Sequence, residues 1–594
     1  MPTQPAPMPV QPAAPVDVEE AKREYRFLAT LAILSLFLGC ASAFTLNLVD
    51  PDLWGHVAYG QELLRDGSLP RTATHTFTAE GYRWINHENL AEIAFAVGFD
   101  ALGVRGMLVG KCLLGLAVLG LMYASARAAG VRSLTCWAVL LLVATNLKAF
   151  FVMRPQLLSF ACCAAMLWLL SRAFADWRAE HGDGAAACRV RWKWLVAVPP
   201  LMALWVNSHG AFVAGYCILG ALLAGRIAEA ILVDRRRSFG AASGLAVIGV
   251  VSLAALLANP YGAGLLEWLF ESLRSPRPEI TEWAAPKVTD PVFWPFVTLV
   301  VVTAAGWAFT DRRRDWTQLA ILALVAWQSC LHLRHIAFFA LLSGFWTTPH
   351  AASVLAKLRH RSARGLPVSR IGPVLKWSAA AVLAVAMIFQ TIGISERLTK
   401  LPVLRRMYPV DTFDFMSLHG VEGRMVVSFN WAQYALAAFP ESKVSFDGRF
   451  RTCYPQEVVD MNFDFLLGEH GGRRFRSPGS GPIEGERVLE YGDPEIVIVD
   501  RNYKHAVGVL ERQYAKPDGE WALLYQDSVA QLWGRKRVFD DPDNPRYLPM
   551  YARVATDAAR PLAVQWPAMP LQPIASPAPD AVVREVAAAA ADEP

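Results

Sequence analysis

The chain has 594 residues, of which 54% are hydrophobic and only 18% charged, with 20 Trp and 30 Phe and a mean hydropathy of +0.28. These values exclude a wholly disordered chain, a coiled coil and a soluble multidomain enzyme; they describe a polytopic α-helical membrane protein. The net charge of +5 is too small to indicate nucleic acid and is better explained by basic loops on one side of a bilayer.

Residues 1–26 form a Pro/Ala-rich head ending in Lys22, Arg23 and Arg26, expected to be disordered and cytoplasmic. The first apolar run, 27–49, is too long for a signal-peptide core and reads as a signal anchor. Further runs lie near 106–126, 134–150, 157–174, 193–207, 211–233, 241–258, 293–310, 317–331, 336–350 and 373–394. The longest reach the ~20 residues that a bilayer core demands.

A twelfth candidate, 90–103, is shorter and contains Glu92 and Asp100. Charge decides its place. If it lies along the membrane surface as an amphipathic helix, the N-terminus and the loops after runs two, four, six, eight and ten share one side. That side then carries more than twice as many Lys and Arg as the other. The positive-inside bias therefore predicts about 11 spans over 27–394, a cytoplasmic N-terminus and an extracytoplasmic C-terminal domain.

The nine cysteines contain no CxxC pair and give no disulfide framework, so they read as buried structural thiols. The region 395–545 reads as a small α/β domain, with strands over 424–429, 443–447, 495–500, 521–526 and 529–534. Helices are expected at 432–439 and 457–467. Its Asp447-Gly448-Arg449 segment reads as a strand-end turn with structural charge pairing. Residues 546–594, rich in Pro and Ala, are expected to be a disordered tail.

With this parity the polar motifs of the membrane region gather on the outer face: DPDLWGH at 50–56, NHEN at 86–89, RPQ at 154–156, NSHG at 207–210, NPYG at 259–262 and HLRH at 332–335. His56, His75, His87, His209, His332 and His335 sit there. A polar residue at a helix end is ordinarily an interfacial anchor, and Asn259 reads as a cap before Pro260. Several converging from separate helices point instead to a site. The large first outer loop, 50–105, holds twice as many acids as bases. Asp52 and His56 share a face if the loop opens as a helix. A solvated acidic loop is the competing reading, but Asp50 and Asp52 are pinned at a span end.

An acidic motif after the first span, a long first outer loop with a second acid, many spans and an outer C-terminal domain together resemble the GT-C glycosyltransferases. The match is closest over DPDLWGHVAYGQELLRDGSLPRTATHTF and WINHENLAE, which resemble bacterial membrane proteins of that superfamily, and it extends to the NSHG, NPYG and DGR segments. The resemblance implies a bacterial cytoplasmic (inner) membrane enzyme that transfers a sugar from a polyprenyl-phosphate donor to an extracytoplasmic glycan, lipid or protein acceptor, with inversion. It implies Asp52 as first acid, with Asp50 as the other register, and Glu88 as the second.

Such a reaction needs a base for the acceptor hydroxyl and positive charge for the departing phosphate. Asp52 is the expected base. Arg154, Arg334 and Lys148 are the candidates for the lipid phosphate, although Arg154 fits a snorkelling residue equally well. His56, His87, His209, His332 and His335 are further candidates around the site. Asp52, His56, His87 and Glu88 also offer the mixed oxygen and nitrogen donors that a divalent cation (Mn, Mg or Zn) takes. Ala91 replaces the second histidine of a zinc-protease helix, so protease chemistry is unsupported. The alternatives are a lipid-linked sugar flippase, which would need polar groups deep within its spans, and a non-catalytic envelope assembly protein of the same fold.

Overall fold

The computed structural model describes residues 18–179, 187–233, 239–362, 371–471 and 475–572. Every apolar run becomes helix. Six described helices are long and apolar enough to cross a membrane: Lys22–Ala43, Asn89–Ala128, Ser133–Phe150, Gln156–Ala173, Phe212–Leu232 and Pro373–Arg397. Trp192–Val206, Phe239–Ala255, Phe293–Phe309, Trp316–Leu331 and His335–Trp346 are shorter apolar helices. Pro373 occupies the first turn of its helix, where a missing N–H costs nothing. Large apolar side chains such as Val374 (80% exposed) and Phe389 (71%) point outward from this helix. In a membrane protein, such surface faces lipid. The chain is a multi-pass membrane protein.

The surface segment predicted at 90–103 is separated from the following span. Within Asn89–Ala128 the backbone breaks at Gly103 (φ 63°, ψ −172°), a conformation that side chains with a Cβ rarely adopt. Residues 89–102 pack on the loop helix Leu53–Asp66, where Gln61 Nε2 donates to Asp100 at 2.7 Å. Val97 and Leu102 remain exposed.

The polar C-terminal region holds a six-stranded mixed sheet. In spatial order its strands are Lys443–Val444, Arg424–Val427, Ile496–Asp500, Ala530–Arg535, Trp521–Gln526 and Val554–Ala555. The first three run parallel, and Trp521–Gln526 and Ala530–Arg535 form an antiparallel hairpin. Helices Ala432–Ala438 and Gln456–Leu467 lie close to their predicted positions.

This region does not stand apart from the membrane body. Tyr59, Ala79 and Trp84 of the first loop share one apolar core with Val426 and Val497 of the sheet and Phe446, just beyond its edge strand. Val444 N–H donates to His75 O at 3.0 Å, so the loop extends the sheet edge.

Two expectations about the ends need correction. Residues 18–26, assigned to a disordered head, belong to helix Val18–Ala43, whose first turn carries Glu19 and Glu20, the favoured charge there. Residues 1–17 lie outside the described residues. Of the tail, 546–572 is ordered and 573–594 lies outside the description. Ala563–Gln565 pairs with Pro402–Leu404, and Trp566 is buried against Trp54 and Phe99. Trp54 Nε1 donates to Pro567 O at 2.8 Å and stacks on Tyr434 with ring centres 4.5 Å apart. A buried Trp contributes about 3–5 kcal/mol relative to Ala, which offsets part of the ordering entropy of the segment around it.

Candidate functional site

The first loop begins with a turn in which Asp50 Oδ1 accepts the Asp52 N–H at 3.0 Å, fixing both carboxylates at the start of helix Leu53–Asp66. Both meet Arg154, which lies between helices Ser133–Phe150 and Gln156–Ala173. Arg154 Nε is 3.0 Å from Asp50 Oδ2, and Nη2 is 2.9 Å from Asp52 Oδ2. Nη1 is 2.7 Å from Glu282 Oε1, on the short turn Thr281–Trp283. Three carboxylates thus share one guanidinium. Burial, helped by the Asp52 charge, lifts the Asp50 carboxyl to about 6 against the pull of Arg154. On Arg154 the three acids outweigh burial and hold the charge more firmly.

The C-terminal region closes over these acids. A Cβ at Gly448 would lie 2.0 Å from Asp52 Oδ1, so backbone approaches the carboxylate as only glycine permits. The flanking residues anchor that turn: Arg449 Nη2 is 2.7 Å from Asp447 Oδ2, and both side chains are buried. The Arg449 guanidinium also lies over the rings of Tyr59 and Trp84. Asp447 and Arg449 therefore pair structurally, as the sequence suggests, while Gly448 belongs to the site wall.

A second acidic group follows from NHEN. Asn86 Nδ2 donates to Glu92 Oε2 at 2.6 Å, and Glu92 Oε1 faces His56 Nδ1 at 3.5 Å. Burial opposes charge on His56, but Glu92, Glu88 and Asp52 together lift it to about 9. Glu88 faces the second histidine of the site: His209 Nε2 is 3.7 Å from Glu88 Oε1. The other ring nitrogen, Nδ1, accepts from Ala211 N–H at 3.2 Å. It also lies 2.9 Å from Ser159 Oγ, which itself accepts from Trp205 Nε1. The network assigns the proton to Nε2, directed at Glu88. Burial and the nearby Arg334 keep His209 well below the usual imidazole range, hence neutral.

These groups line a cavity of about 730 Å³ together with Arg334, His335, Arg277, Arg451 and Trp283. At this other end the charges are differently served. The Arg334 guanidinium sits 4.7 Å from the Trp283 ring centre and makes no side-chain hydrogen bond or ion pair among the described residues. Arg277 lies 5.2 Å from the same ring, with its Nε buried and unpartnered. Burial lowers the pKa of Arg334, with Arg154 adding to it and Glu282 and Glu88 opposing. Burial, with Arg451 and Arg334, brings Arg277 down to about 10.

Of the expected site residues, Asp50, Asp52, His56, His87, Glu88, Arg154, His209, Arg334 and His335 line this cavity. Lys148 does not; it is exposed on a short 3₁₀ turn away from the lining. His332 also falls outside, where its Nδ1 donates to Trp283 O at 2.6 Å. The phosphate role expected of Arg154 conflicts with its contacts, since all three of its nitrogens face carboxylates. The proposed metal set Asp52, His56, His87 and Glu88 does not converge. Asp52 is held by Arg154, His56 faces Glu92, Glu88 faces His209, and His87 packs on Trp268. Among the described residues no three His, Cys, Asp or Glu side chains are placed to hold an ion together. Asn259 caps its turn as expected, its Oδ1 accepting the Tyr261 N–H at 2.8 Å. Sequence reasoning missed Glu282, Arg277, Trp283, Arg451 and Gly448, which lie in loops without helical period or strand alternation.

Neither a protein-family model nor a curated protein matches the sequence. The structure is similar to the archaeal oligosaccharyltransferase of Archaeoglobus fulgidus in complex with an inhibitory peptide and a dolichol-phosphate. Identity is 12% and the TM-score 0.50, over 82% of this chain and 70% of that one. The same organism's enzyme tethered with an acceptor peptide gives 12% and 0.49, over 81% and 69%. ArnT from Cupriavidus metallidurans bound to undecaprenyl phosphate gives 12% and 0.45, over 89% and 100%. The likeness is one of fold, and the fold is the GT-C fold that the first loop resembles.

Proposed function

We propose that the chain is a membrane glycosyltransferase that moves a sugar from a polyprenyl-phosphate-linked donor to an acceptor hydroxyl outside the bacterial cytoplasmic membrane. The topology that goes with this reading has eleven spans, the N-terminus in the cytoplasm, and the cavity and C-terminal region outside. One observation carries the reading: carboxylates, and guanidinium groups that make no ion pair among the described residues, line a single cavity in a chain of GT-C fold. The archaeal oligosaccharyltransferase of that fold holds a dolichol-phosphate, and the Arg334 wall offers this chain's counterpart for such a phosphate.

In this scheme Asp52 takes the proton of the acceptor hydroxyl as its oxygen attacks the anomeric carbon. The sugar–phosphate bond breaks on the opposite face, and the electron pair leaves with the lipid phosphate towards Arg334. Attack and departure on opposite faces invert the anomeric centre. Arg154 holds Asp50 and Asp52 in place, and Gly448 sets how closely the C-terminal region covers them. A positioned carboxylate base contributes ~10²–10⁴-fold, and charge stabilisation of the leaving oxyanion about 3–4 kcal/mol.

The test is transfer of radiolabelled sugar from polyprenyl-phosphate donors by the purified full chain in detergent. Asp52→Asn should lower turnover by ~10²–10⁴-fold while the protein still inserts and elutes as a folded species. Undiminished transfer by that variant would remove Asp52 from the mechanism.

A further inference from the structure

The positive-inside bias leaves few basic side chains on the outer face of the proposed topology, yet Arg105, Lys111, Arg397 and Lys400 gather at one corner of it. Arg105 lies just beyond the break at Gly103, where the span begins, and Lys400 just beyond the end of helix Pro373–Arg397. Both are exposed and line a hollow of about 750 Å³ together with Leu102, Pro402 and Gln565. Its back wall is a strand pair, Pro402–Leu404 on Ala563–Gln565, in which Gln565 Oε1 accepts the Leu401 N–H at 3.2 Å. The hollow shares no lining residue with the cavity of Asp52 and Arg334.

The other two cations lie behind it. Lys111, buried within the same span as Arg105, donates to Leu46 O at 2.6 Å and to Asn47 Oδ1 at 3.1 Å. Asn47 Nδ2 in turn donates to Arg397 O and, at 3.0 Å, to Lys400 O. One amide thus ties the buried ammonium to the chain that carries the exposed one. Arg397 directs Nε at Gly393 O, 2.8 Å away, and Nη2 at Ser42 Oγ, 3.0 Å away. Among the described residues none of the four pairs with a carboxylate, and Arg105 and Lys400 make no side-chain hydrogen bond. Lys and Arg beside lipid are costly unless an opposite charge joins them. The ends of two spans set these charges at headgroup depth, where the abundant anion is the phosphodiester of an acidic phospholipid. Apolar surface leads away from it: Leu102 at the rim and Phe389 and Ile392 on the last helix are exposed.

We propose that the hollow binds an anionic phospholipid of the surrounding bilayer, with Arg105 and Lys400 on its headgroup phosphate and its acyl chains along the exposed apolar side of Pro373–Arg397. Lys111 and Arg397 add positive field from behind, since their donors are directed at neutral oxygens. The lipid joins the last span, the break at Gly103 and the strand pair of the C-terminal region, which are far apart in sequence. It is a structural lipid of the membrane and not the sugar donor.

The experiment is native mass spectrometry of the purified full chain in detergent micelles containing equal amounts of phosphatidylglycerol and phosphatidylcholine with the same acyl chains. The chain should retain phosphatidylglycerol in preference to phosphatidylcholine. That preference should fall about fivefold in Arg105→Gln, and about fivefold again when Lys400→Gln is added, the strength of one basic side chain at an anionic lipid surface. Lys400→Arg, which keeps the charge, should keep the preference. Both positions are exposed, so the variants should elute and melt like the parent in phosphatidylcholine micelles. Lys148→Gln, at another span end outside the hollow, is the control and should change nothing. Equal retention of the two lipids, or a preference that survives in the folded double variant, overturns the site. A preference lost equally in Lys148→Gln also overturns it, because the attraction would then be diffuse. So does a polyprenyl monophosphate that displaces phosphatidylglycerol through Arg105 and Lys400, since the hollow would then serve the lipid of the sugar donor.

Discussion

The two ends of the cavity are both built from charges, yet they differ in how those charges are balanced. At the acidic end Arg154 is shared by Asp50, Asp52 and Glu282. At the basic end Arg334 and Arg277 meet an indole ring and, among the described residues, pair with no carboxylate. The first arrangement is self-sufficient and supports the fold. On the proposed reading the second is completed by an anion, and a cation left without a counter-charge marks binding more specifically than the mere presence of ionisable groups.

This contrast can be broken by treating equivalent arginines alike. Arg154→Gln should produce the largest effect, leaving one buried carboxylate, Asp50, and two half-buried ones, Asp52 and Glu282, without their cation. A loss of about 3–5 kcal/mol should appear as a lower melting temperature in detergent, together with lost transfer. Arg334→Gln should do the opposite to stability: the melting temperature holds or rises as repulsion is relieved, while turnover falls by ~10²–10³-fold. Equal destabilisation by the two variants would abolish the distinction between a structural and a ligand-binding end.

A smaller change tests the lid over the acids. Gly448→Ala places a methyl group 2.0 Å from Asp52 Oδ1, so the carboxylate or the turn must move. Misplacement of about 1 Å can cost ~10²-fold in rate, whereas overpacking costs about 1–3 kcal/mol. Turnover should therefore suffer more than thermal stability. A variant as active as the parent would mean that Asp52 does not depend on the C-terminal region for its position.

The legibility of these two ends in the sequence also differed. Asp50, Asp52 and Glu88 stand at helix starts beside apolar runs, where a charge is costly and so conspicuous, and Arg154 and Arg334 stand out for the same reason. What the sequence could not express was pairing. Arg154 looks like a phosphate ligand until Glu282, more than a hundred residues away, is seen to share it with the aspartates. Arg277 and Trp283 belong to an irregular stretch with no period to mark it. Gly103 is legible as the break between surface helix and span, because glycine alone suits its positive φ. The order of 563–567 was hidden by Pro/Ala composition, although Trp566 was a signal that the segment had something to bury.

The smallest effect separates the two ends by pH. His56, at the acidic end, is raised from the ordinary 6.5 to about 9, since Glu92, Glu88 and Asp52 overcome its burial. A raised folded-state pKa contributes stability that is complete below about 6.5 and disappears as pH climbs through 9. The melting temperature should accordingly decline across that window. Glu92→Gln, which removes the partner that raises His56 most, should flatten the decline. His209, on the other side of Glu88, lies far enough below its ordinary value to remain neutral throughout, so His209→Gln should leave the slope unchanged. If the slope followed His209 instead of Glu92, the imidazole charge would sit on the wrong side of Glu88. The acidic end would then lose the cation that, with Arg154, keeps its carboxylates together.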